Sequence, residues 1–145
     1  MIGVASVDAR ADGTLIVQSY SRTDEWLWIL GEPPVALAST VSDNELGEAV
    51  VLMLDRSRTD VPRPEDLLPL MKPLLAAAGV RSPRAYYDGT RSVGVSRSAD
   101  GSVVVEPSRR DHRSFLPLAD RCIALTAARP AGIGAAIREG LARSE

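Results

Sequence analysis

The chain has 145 residues, 45% of them hydrophobic, and a formal net charge of −2. This length fits a single domain spanning residues 1–145, which can bury enough apolar surface to fold without a disulfide or a structural metal. The slightly negative charge argues against a nucleic-acid binder, and one cysteine, Cys122, excludes an internal disulfide framework.

The hydropathy of the chain and its first residues indicate where in the cell the protein is located. No run of 18 apolar residues occurs, so neither a membrane span nor a membrane partner is predicted. Met1 leads directly into a strand-like pattern without a basic segment, which argues against a signal peptide. We therefore expect a reduced, cytoplasmic protein in which Cys122 is a buried, unreactive thiol.

The first 40 residues are predicted to form short strands. An Asp-Gly pair between two apolar stretches is a strong hairpin signal, which predicts strands at residues 2–8 and 14–20. Residues 21–25 form a polar turn in this interpretation. The continuous apolar run at residues 26–30 predicts a short buried strand, ended by the prolines that follow it. Residues 35–38 are predicted to add one more short strand.

A helix is predicted to begin at Ser42. Ser42 and Glu45 have the spacing of a capping box, in which each side chain accepts from the other residue's backbone N–H. The apolar face that follows consists of Leu46, Ala49, Val50, Met53, Leu54 and Ser57. The opposite face carries Leu52 between two acids, Glu48 and Asp55. This amphipathic helix is expected to lie on the core.

The end of the chain is similar to this helix. The matched pairs are Leu46/Ile133, Gly47/Gly134, Ala49/Ala136, Val50/Ile137, Leu54/Leu141, Arg56/Arg143 and Ser57/Ser144. Glycine in the first turn of a helix costs stability relative to alanine, so Gly47 and Gly134 suggest close backbone packing, with a sheet as the expected neighbour. The alternative is that two amphipathic helices of similar composition look alike by chance.

The middle of the chain mixes helix and turn signals. The leucine-rich residues 67–75 predict a helix that ends at Gly79, but Pro69 and Pro73 predict that it is broken or begins late. Residues 85–87 are predicted to be a short extended piece.

A second Asp-Gly hairpin is predicted around residues 98–101, between alternating valines, with Pro107 closing it. A basic loop at residues 108–113 follows, then a strand at residues 121–125, and Pro130 is expected to open the last helix. About six strands in hairpins and about three helices together predict an α+β fold with a mainly antiparallel sheet.

Residues suited to catalysis or metal binding are scarce. The only histidine, His112, is next to Asp111 in the loop from Arg109 to Arg113, where adjacent side chains rarely point at each other. A metal site would therefore need mostly other ligands. Gly132-Ile133-Gly134 lacks the rest of a dinucleotide-binding motif, and no P-loop occurs. We predict no catalytic residues, no metal and no cofactor; an enzyme that uses the Arg109–Arg113 loop is the less favoured alternative.

Taken in order, several segments resemble the immunity proteins of bacterial contact-dependent growth inhibition. They are Ser42-Asp43-Asn44-Glu45-Leu46-Gly47-Glu48-Ala49-Val50, Ala78-Gly79-Val80-Arg81-Ser82, the pair Tyr86-Tyr87, and a hairpin ending in Glu106-Pro107-Ser108-Arg109-Arg110. The resemblance covers most of the chain. It implies a cytoplasmic protein that binds and blocks the toxic C-terminal domain of a large effector delivered by neighbouring cells, where such toxins are often nucleases. A small interaction or chaperone module for a secreted protein is the alternative.

Charge is distributed unevenly along the chain. The first 60 residues contain ten acidic and four basic residues, a net of −6, and the rest contains nine acidic and 13 basic residues, a net of +4. Since a nuclease needs a positive cleft to hold phosphates, its inhibitor does well to present carboxylates. The predicted toxin-binding residues are Asp24, Glu25, Trp26, Glu48, Leu52 and Asp55. An ordinary solvated face is the alternative.

Overall fold

The computed structural model describes residues 2–112 and 114–145, which form an α+β fold. The strands are β1 (Gly3–Ala9), β2 (Leu15–Arg22), β3 (Trp28–Leu30), β4 (Val35–Leu37), β5 (Arg91–Arg97), β6 (Val103–Asp111), β7 (Ser114–Pro117) and β8 (Ile123–Leu125). The helices are α1 (Asp43–Asp55), α2 (Lys72–Ala78), α3 (Pro83–Tyr87) and α4 (Pro130–Arg143), with 3₁₀ turns at Leu68–Met71 and Ala119–Arg121. The eight strands pair antiparallel, so the predicted fold class is confirmed.

Six strands follow one another in the order β3-β2-β1-β5-β6-β7, with β4 also paired to β2 and β8 to β6. The pairing of β1 with β5 joins the two halves of the chain, and it places Val7 opposite Val93. Trp28 of β3 and Phe115 of β7 come from opposite ends of this order, yet they line one cleft. The sheet therefore curls into a half-barrel.

Both predicted Asp-Gly hairpins form, and their turns share one geometry. Gly13 and Gly101 adopt φ values of +90° and +85°, a region that glycine enters without steric cost. Their N–H groups donate to the carbonyl oxygens of Arg10 and Ser98, each over 2.9 Å. The aspartate before each glycine accepts from the backbone N–H two residues further on. The same local sequence thus produces the same turn twice.

The helix predicted at Ser42 begins there. The Ser42 hydroxyl accepts from the Glu45 N–H over 3.1 Å, which is one half of the predicted capping box. The predicted inner face is buried at Leu46, Val50, Met53 and Leu54, and Leu52 on the outer face is 44% exposed. The amphipathic pattern therefore placed the helix correctly on the core.

Helices α1 and α4 pack against each other on one face of the sheet. A Cβ atom on Gly47 would lie 1.7 Å from the carbonyl oxygen of Pro130, and one on Gly134 would lie 1.9 Å from that of Asp43. The glycines thus let the first turns of the two helices touch. The close backbone packing was predicted correctly, but the expected neighbour, a sheet, was wrong.

A serine ties the end of each of these helices to the sheet. The Ser57 hydroxyl accepts from the Val4 N–H over 2.9 Å and donates to the Val4 carbonyl over 2.8 Å. The Ser144 hydroxyl donates to the Ser92 carbonyl over 3.0 Å and accepts from the Ser108 N–H over 3.3 Å. The matched serines, like the matched glycines, have matched roles, which favours structural equivalence over chance similarity.

The main core lies between this helix pair and the inner face of the sheet. The sheet contributes Ala5, Val7, Leu15, Val17, Val93, Val95, Val103 and Val105, which alternate along four strands. A smaller cluster on the opposite face joins Ile16 to Leu74 of α2 and Tyr86 of α3. This second layer covers only part of that face.

The middle helix is broken as predicted. Pro69 and Pro73 each lie in the first turn of their own segment, the 3₁₀ turn and α2, where a missing N–H costs little. Gly79 ends α2 in the left-handed conformation with φ +69°. The prediction of an extended piece at residues 85–87 was wrong: the Ser82 hydroxyl caps α3 by accepting from the Ala85 N–H over 3.2 Å.

The prediction of a buried strand at residues 26–30 was also wrong at its start. The strand is confined to Trp28–Leu30 and is half-buried, while Trp26 is 73% exposed. The Thr23 hydroxyl accepts from the backbone N–H groups of Glu25 and Leu27, and these bonds hold the preceding residues in a turn.

Pro107 does not close its strand, and residues 108–111 are strand rather than loop. In a β-strand, the N–H and C=O of one residue point to the same side. The Pro107 carbonyl accepts from the Leu118 N–H over 2.8 Å, so the N–H that proline lacks would also point to that side. This position lies between the part of β6 that pairs with β8 and the part that pairs with β7. The late strand is Ile123–Leu125, shorter than predicted, and Pro130 opens α4 as predicted. Cys122 is partly exposed, not buried.

Candidate partner-binding surface

All six residues predicted to bind a partner are exposed. They fall into two groups, Asp24, Glu25 and Trp26 in the turn between β2 and β3, and Glu48, Leu52 and Asp55 on the outer face of α1. We call them together the acidic surface.

The turn holds Trp26 in a defined position. The Trp26 N–H donates to the Thr23 carbonyl over 3.0 Å, and the residue has a positive φ of 66°. The guanidinium carbon of Arg22 lies 3.9 Å from the centre of the Trp26 ring, within the range of a cation–π interaction. A tryptophan that is largely exposed yet fixed in this way loses little conformational freedom on binding, as a hot-spot residue requires.

Backbone hydrogen bonds connect the two groups of the acidic surface. The Arg22 N–H donates to the Arg58 carbonyl over 2.8 Å, and the Asp24 N–H donates to the Val61 carbonyl over 3.2 Å. Residues 58–61 follow α1 directly, so the β2–β3 turn is attached to the end of the helix that carries Asp55.

Acidic residues from the first 60 positions are paired with arginines from the rest of the chain. Asp55 Oδ1 lies 2.7 Å from Arg97 Nη2, and Asp43 Oδ1 lies 2.8 Å from Arg138 Nε. Because β1 pairs with β5 and α1 packs on α4, the two halves of the chain interleave in space. The net −6 of the first 60 residues is therefore offset locally and does not by itself define an acidic face.

The members of the acidic surface differ in whether they form an ion pair. Glu25 Oε2 lies 3.1 Å from Arg63 Nη1, whereas Asp24 and Glu48 make no ion pair with any residue in 2–112 or 114–145. Among the described residues, the Glu48 carboxylate accepts only from the side-chain amide of Asn44, over 2.9 Å. Within the described part of the chain, Asp24 and Glu48 are the members whose charge remains available to a partner.

The residues of the enzyme alternative lie at an exposed hairpin. His112 Nε2 is 3.9 Å from Asp111 Oδ1, but the histidine side chain is 95% exposed. Arg110 Nη1 donates to the Tyr87 carbonyl over 2.9 Å and to Asp88 Oδ1 over 3.3 Å. Arg113 lies outside the described residues. His112 and Asp111 also line an open polar cleft of about 420 Å³ with Arg84, Tyr87 and Asp88, but the histidine itself is solvated and meets a single carboxylate there.

Sequence reasoning missed a cleft on the face of the sheet opposite α1 and α4. Its volume is about 310 Å³, and it opens between β3, residues 67–74 and α3. Its aromatic walls are Tyr20, Trp28, Tyr86, Tyr87 and Phe115. These residues come from distant parts of the chain, which is why no local pattern predicted the cleft. The available signal was the alternation of polar with apolar residues along β1 and β2, which marks a second face outside the main core.

Among the described residues, Asp8 is the one charged residue that lines this cleft, and it is only 5% exposed. Its Oδ2 accepts from the Tyr86 hydroxyl, while its Oδ1 makes no hydrogen bond within the described part of the chain. Burial raises the pKa of Asp8. The Ser92 hydroxyl, which is directly across from Asp8 on β5 but outside hydrogen-bond geometry, the hydrogen bond from Tyr86 and the charge of Arg10 offset part of this effect. Burial and the Asp8 charge in turn raise the pKa of Tyr20 and Tyr86.

Residues 2–112 and 114–145 contain no candidate for a membrane-spanning helix and no candidate metal site. None of the helices described there is both long and apolar enough to cross a bilayer. In the same residues, no three side chains of histidine, cysteine, aspartate or glutamate come together as metal ligands.

No protein-family model matches the chain, and no curated protein is similar to it in sequence. Its fold is that of a chain in a CdiA-CT/CdiI toxin and immunity complex from Yersinia pseudotuberculosis, with a TM-score of 0.80 and 22% identity over 99% of this chain and 97% of that chain. A protein of unknown function from Neisseria meningitidis has the same fold, with a TM-score of 0.82 and 21% identity over 99% of this chain and 95% of that chain. The resemblance indicated by the order of the motifs is therefore confirmed at the level of the fold.

Proposed function

We propose that this chain is a cytoplasmic immunity protein that binds and neutralises the C-terminal toxin domain of a contact-dependent growth inhibition effector. The observation that carries the proposal is the fold shared with a chain of a toxin–immunity complex over 99% of the sequence. The order of the sequence motifs supports the same function independently of the three-dimensional comparison. An inhibitor acts by occupying a surface of its target, so this role asks for no catalytic residues.

The acidic surface is our proposal for the contact with the toxin. A nuclease must bind phosphates through a positive cleft, and Asp24 and Glu48, whose carboxylates are in no ion pair within residues 2–112 and 114–145, complement such a cleft. Trp26 and Leu52 are exposed apolar side chains beside these charges, 73% and 44% accessible. An apolar anchor surrounded by charged residues is the usual composition of a binding hot spot.

Co-expression tests the proposed function directly. A candidate toxin domain, taken from a gene adjacent to the one for this chain, is induced in a bacterial host with or without the chain, and growth and nucleic-acid integrity are followed. An immunity protein restores growth, and the purified pair elutes as one complex in size-exclusion chromatography. Absence of both rescue and complex formation, with the chain folded and soluble, would overturn the proposal.

A chaperone or interaction module is distinguished in the same experiment. Such a module raises the soluble yield of its partner but leaves a folded toxin active. Adding the purified chain to purified, active toxin therefore separates the two functions. Inhibition at equimolar concentration supports an immunity protein, whereas an unchanged toxin rate supports the module.

A further inference from the structure

The turn between β2 and β3 is built around one buried side chain, that of Thr23. The Thr23 hydroxyl accepts from the backbone N–H groups of Glu25, over 3.2 Å, and Leu27, over 3.1 Å. The Thr23 N–H donates to the Leu27 carbonyl over 2.8 Å, and the Thr23 carbonyl accepts from the Trp26 N–H over 3.0 Å. These four hydrogen bonds to one residue close residues 23–27 into a compact turn, from which the indole of Trp26 extends into solvent.

The turn is also fixed to the segment that follows α1. Thr23 forms a parallel bridge with Val61. The Asp24 N–H donates to the Val61 carbonyl over 3.2 Å, and the Val61 N–H donates to the Arg22 carbonyl over 3.1 Å. The backbone on both sides of Thr23 is therefore held in place, and the position of Trp26 relative to α1 is set before any partner binds.

The backbone is strained at two points of this junction. Trp26 has a φ of +66°, and Asp60, which precedes Val61, has a φ of +56°. Positive φ is unfavourable for residues with a Cβ atom, more so for a bulky side chain than for asparagine or aspartate, and it costs glycine nothing. Stability alone would therefore favour glycine or asparagine at position 26. Strained conformations of this kind are concentrated at binding sites, where they hold a side chain as binding requires.

The indole of Trp26 presents one free face to a partner. The Arg22 guanidinium covers the other face, with its carbon 3.9 Å from the ring centre, and the residue is still 73% exposed. Leu27 beside it is exposed as well, and the Asp24 carboxylate is in no ion pair within residues 2–112 and 114–145. Two apolar side chains beside one negative charge complement an apolar pocket with a lysine or arginine at its edge.

We infer that residues 23–27 form a preformed turn that presents Trp26 as the anchor of the toxin contact. The indole enters an apolar pocket of the toxin, and a lysine or arginine at the edge of that pocket pairs with Asp24. Thr23 is the positioning residue of this turn. Because the free protein already holds the anchor in place, binding does not incur the cost of ordering it. The inference rests on the proposed function and adds to it which side chain enters the toxin.

The first test replaces Trp26 by glycine and measures binding to the candidate toxin domain by calorimetry. Loss of an anchor residue should raise the Kd of Trp26→Gly about thirtyfold or more. The melting temperature should stay equal to that of the parent or rise by up to about 4 °C, since glycine relieves the strain. An unchanged Kd overturns the inference. A melting temperature more than about 4 °C lower also overturns it, because the tryptophan would then stabilise the fold.

Ala127→Gly is the matched control for the change of backbone. Ala127 is exposed in the bend before α4 and has a φ of +49°, so glycine relieves a similar strain away from the turn. We expect the Kd of this variant to equal that of the parent. An equal loss of affinity in Ala127→Gly and Trp26→Gly would overturn the inference, because the loss would then not depend on the indole.

Salt dependence tests the chemistry of the pocket. The loss in Trp26→Gly should persist at high salt, since an apolar contact is not screened, whereas the loss in Asp24→Asn should be largest at low salt. A Trp26→Gly loss that disappears at high salt would overturn the apolar pocket. An Asp24→Asn variant that binds as the parent does at low salt would overturn the lysine or arginine at its edge.

The positioning role of Thr23 is tested with two variants. Thr23→Val keeps the shape of the side chain but removes the acceptor for Glu25 and Leu27, and Thr23→Ser keeps the acceptor. In a Trp28→Phe background, the fluorescence anisotropy of Trp26 should fall in Thr23→Val and stay unchanged in Thr23→Ser. The Kd should rise roughly three- to tenfold in Thr23→Val only. Unchanged anisotropy and Kd in Thr23→Val would overturn the positioning role.

The parent chain separates the two ways in which this experiment can fail. If the parent neither protects against the toxin nor binds it, the proposed function is wrong and this inference is overturned with it. If the parent protects and binds, and Trp26→Gly does so with the same Kd, only the inference about Trp26 is wrong.

Discussion

Gly47 and Gly134 are reciprocal: the Cβ position of each lies within 2 Å of a carbonyl oxygen in the first turn of the other's helix, at 1.7 Å from Pro130 O and 1.9 Å from Asp43 O. No side chain fits at either position without separating α1 from α4. Since these helices together cover the main core, the pair of glycines determines how closely the helices approach above the sheet.

Replacing either glycine by alanine should therefore destabilise the protein. We expect Gly47→Ala and Gly134→Ala each to lower the free energy of unfolding by roughly 1–3 kcal/mol or more, as overpacked cores do. Urea unfolding followed by circular dichroism measures this. Gly132→Ala is the matched control in α4, because nothing lies within 4 Å of its Cβ position and alanine is the better helix former. It should be neutral or gain up to about 1 kcal/mol. Equal effects at all three positions would contradict the packing argument.

Asp8 should make stability depend on pH. Its pKa is raised in the folded state above its ordinary value of 3.8, so the folded state incurs a cost that is absent below pH 3.8, grows as the pH rises above 3.8 and is complete above the folded pKa. Asp8→Asn removes this cost while keeping an acceptor for Tyr86. We expect the variant to be more stable than the parent at pH 7 by about 1–2 kcal/mol, and the difference to shrink toward zero below about pH 4. Thermal unfolding across this range checks it; a variant less stable at every pH would contradict the prediction.

Charge reversal on the acidic surface should slow association with the toxin. The double variants Asp24→Lys/Glu25→Lys and Glu48→Lys/Asp55→Lys should reduce the association rate by about tenfold at low salt, less at high salt, because steering is screened. The melting temperature should change little, since the exposed Glu25–Arg63 pair and the partly exposed Asp55–Arg97 pair each contribute at most about 1 kcal/mol.

The control for charge reversal is Asp120→Lys, an exposed acid away from this surface in the 3₁₀ turn before β8. It should leave the association rate unchanged. Stopped-flow fluorescence at two salt concentrations measures all three. If both double variants bind and protect as the parent does, the interface lies elsewhere, and the β6–β7 hairpin that carries Arg109 and Arg110 becomes the next surface to test.

His112 should be dispensable. Its side chain is 95% exposed and meets one carboxylate at 3.9 Å, so we expect His112→Ala to leave protection unchanged. The residue has a φ of +54°, and His112→Asn, which tolerates this region better, separates a backbone effect from a side-chain effect. Loss of protection in both variants, with folding intact, would revive the enzyme alternative.

Local patterns were sufficient for much of the fold. The Asp-Gly turns, the Ser42 cap and the broken helix around Pro69 and Pro73 were predicted correctly, because neighbouring residues alone satisfy the backbone there. The Gly47/Gly134 match could be read from the sequence for the same reason. Each glycine destabilises its own helix relative to alanine, so its presence indicated a stabilising close contact elsewhere.

Predictions failed where the contacting residues are distant from each other in the sequence. Whether Trp26 is buried depended on hydrogen bonds to Thr23 and on the segment after α1, and Pro107 was accepted inside β6 because β7 and β8 leave a gap beside it. The acidic surface was inferred from charge along the chain, yet Arg97 reaches Asp55 only after β5 pairs with β1.

The sequence by itself determined the secondary-structure signals and the two helical faces, since these depend on contacts within a few residues. Only the tertiary structure decided which charges neutralise each other and that the half-barrel encloses a cleft around Asp8. The physical reason is distance: electrostatic pairing and burial depend on neighbours in space, and those neighbours here are separated by dozens of residues in the chain.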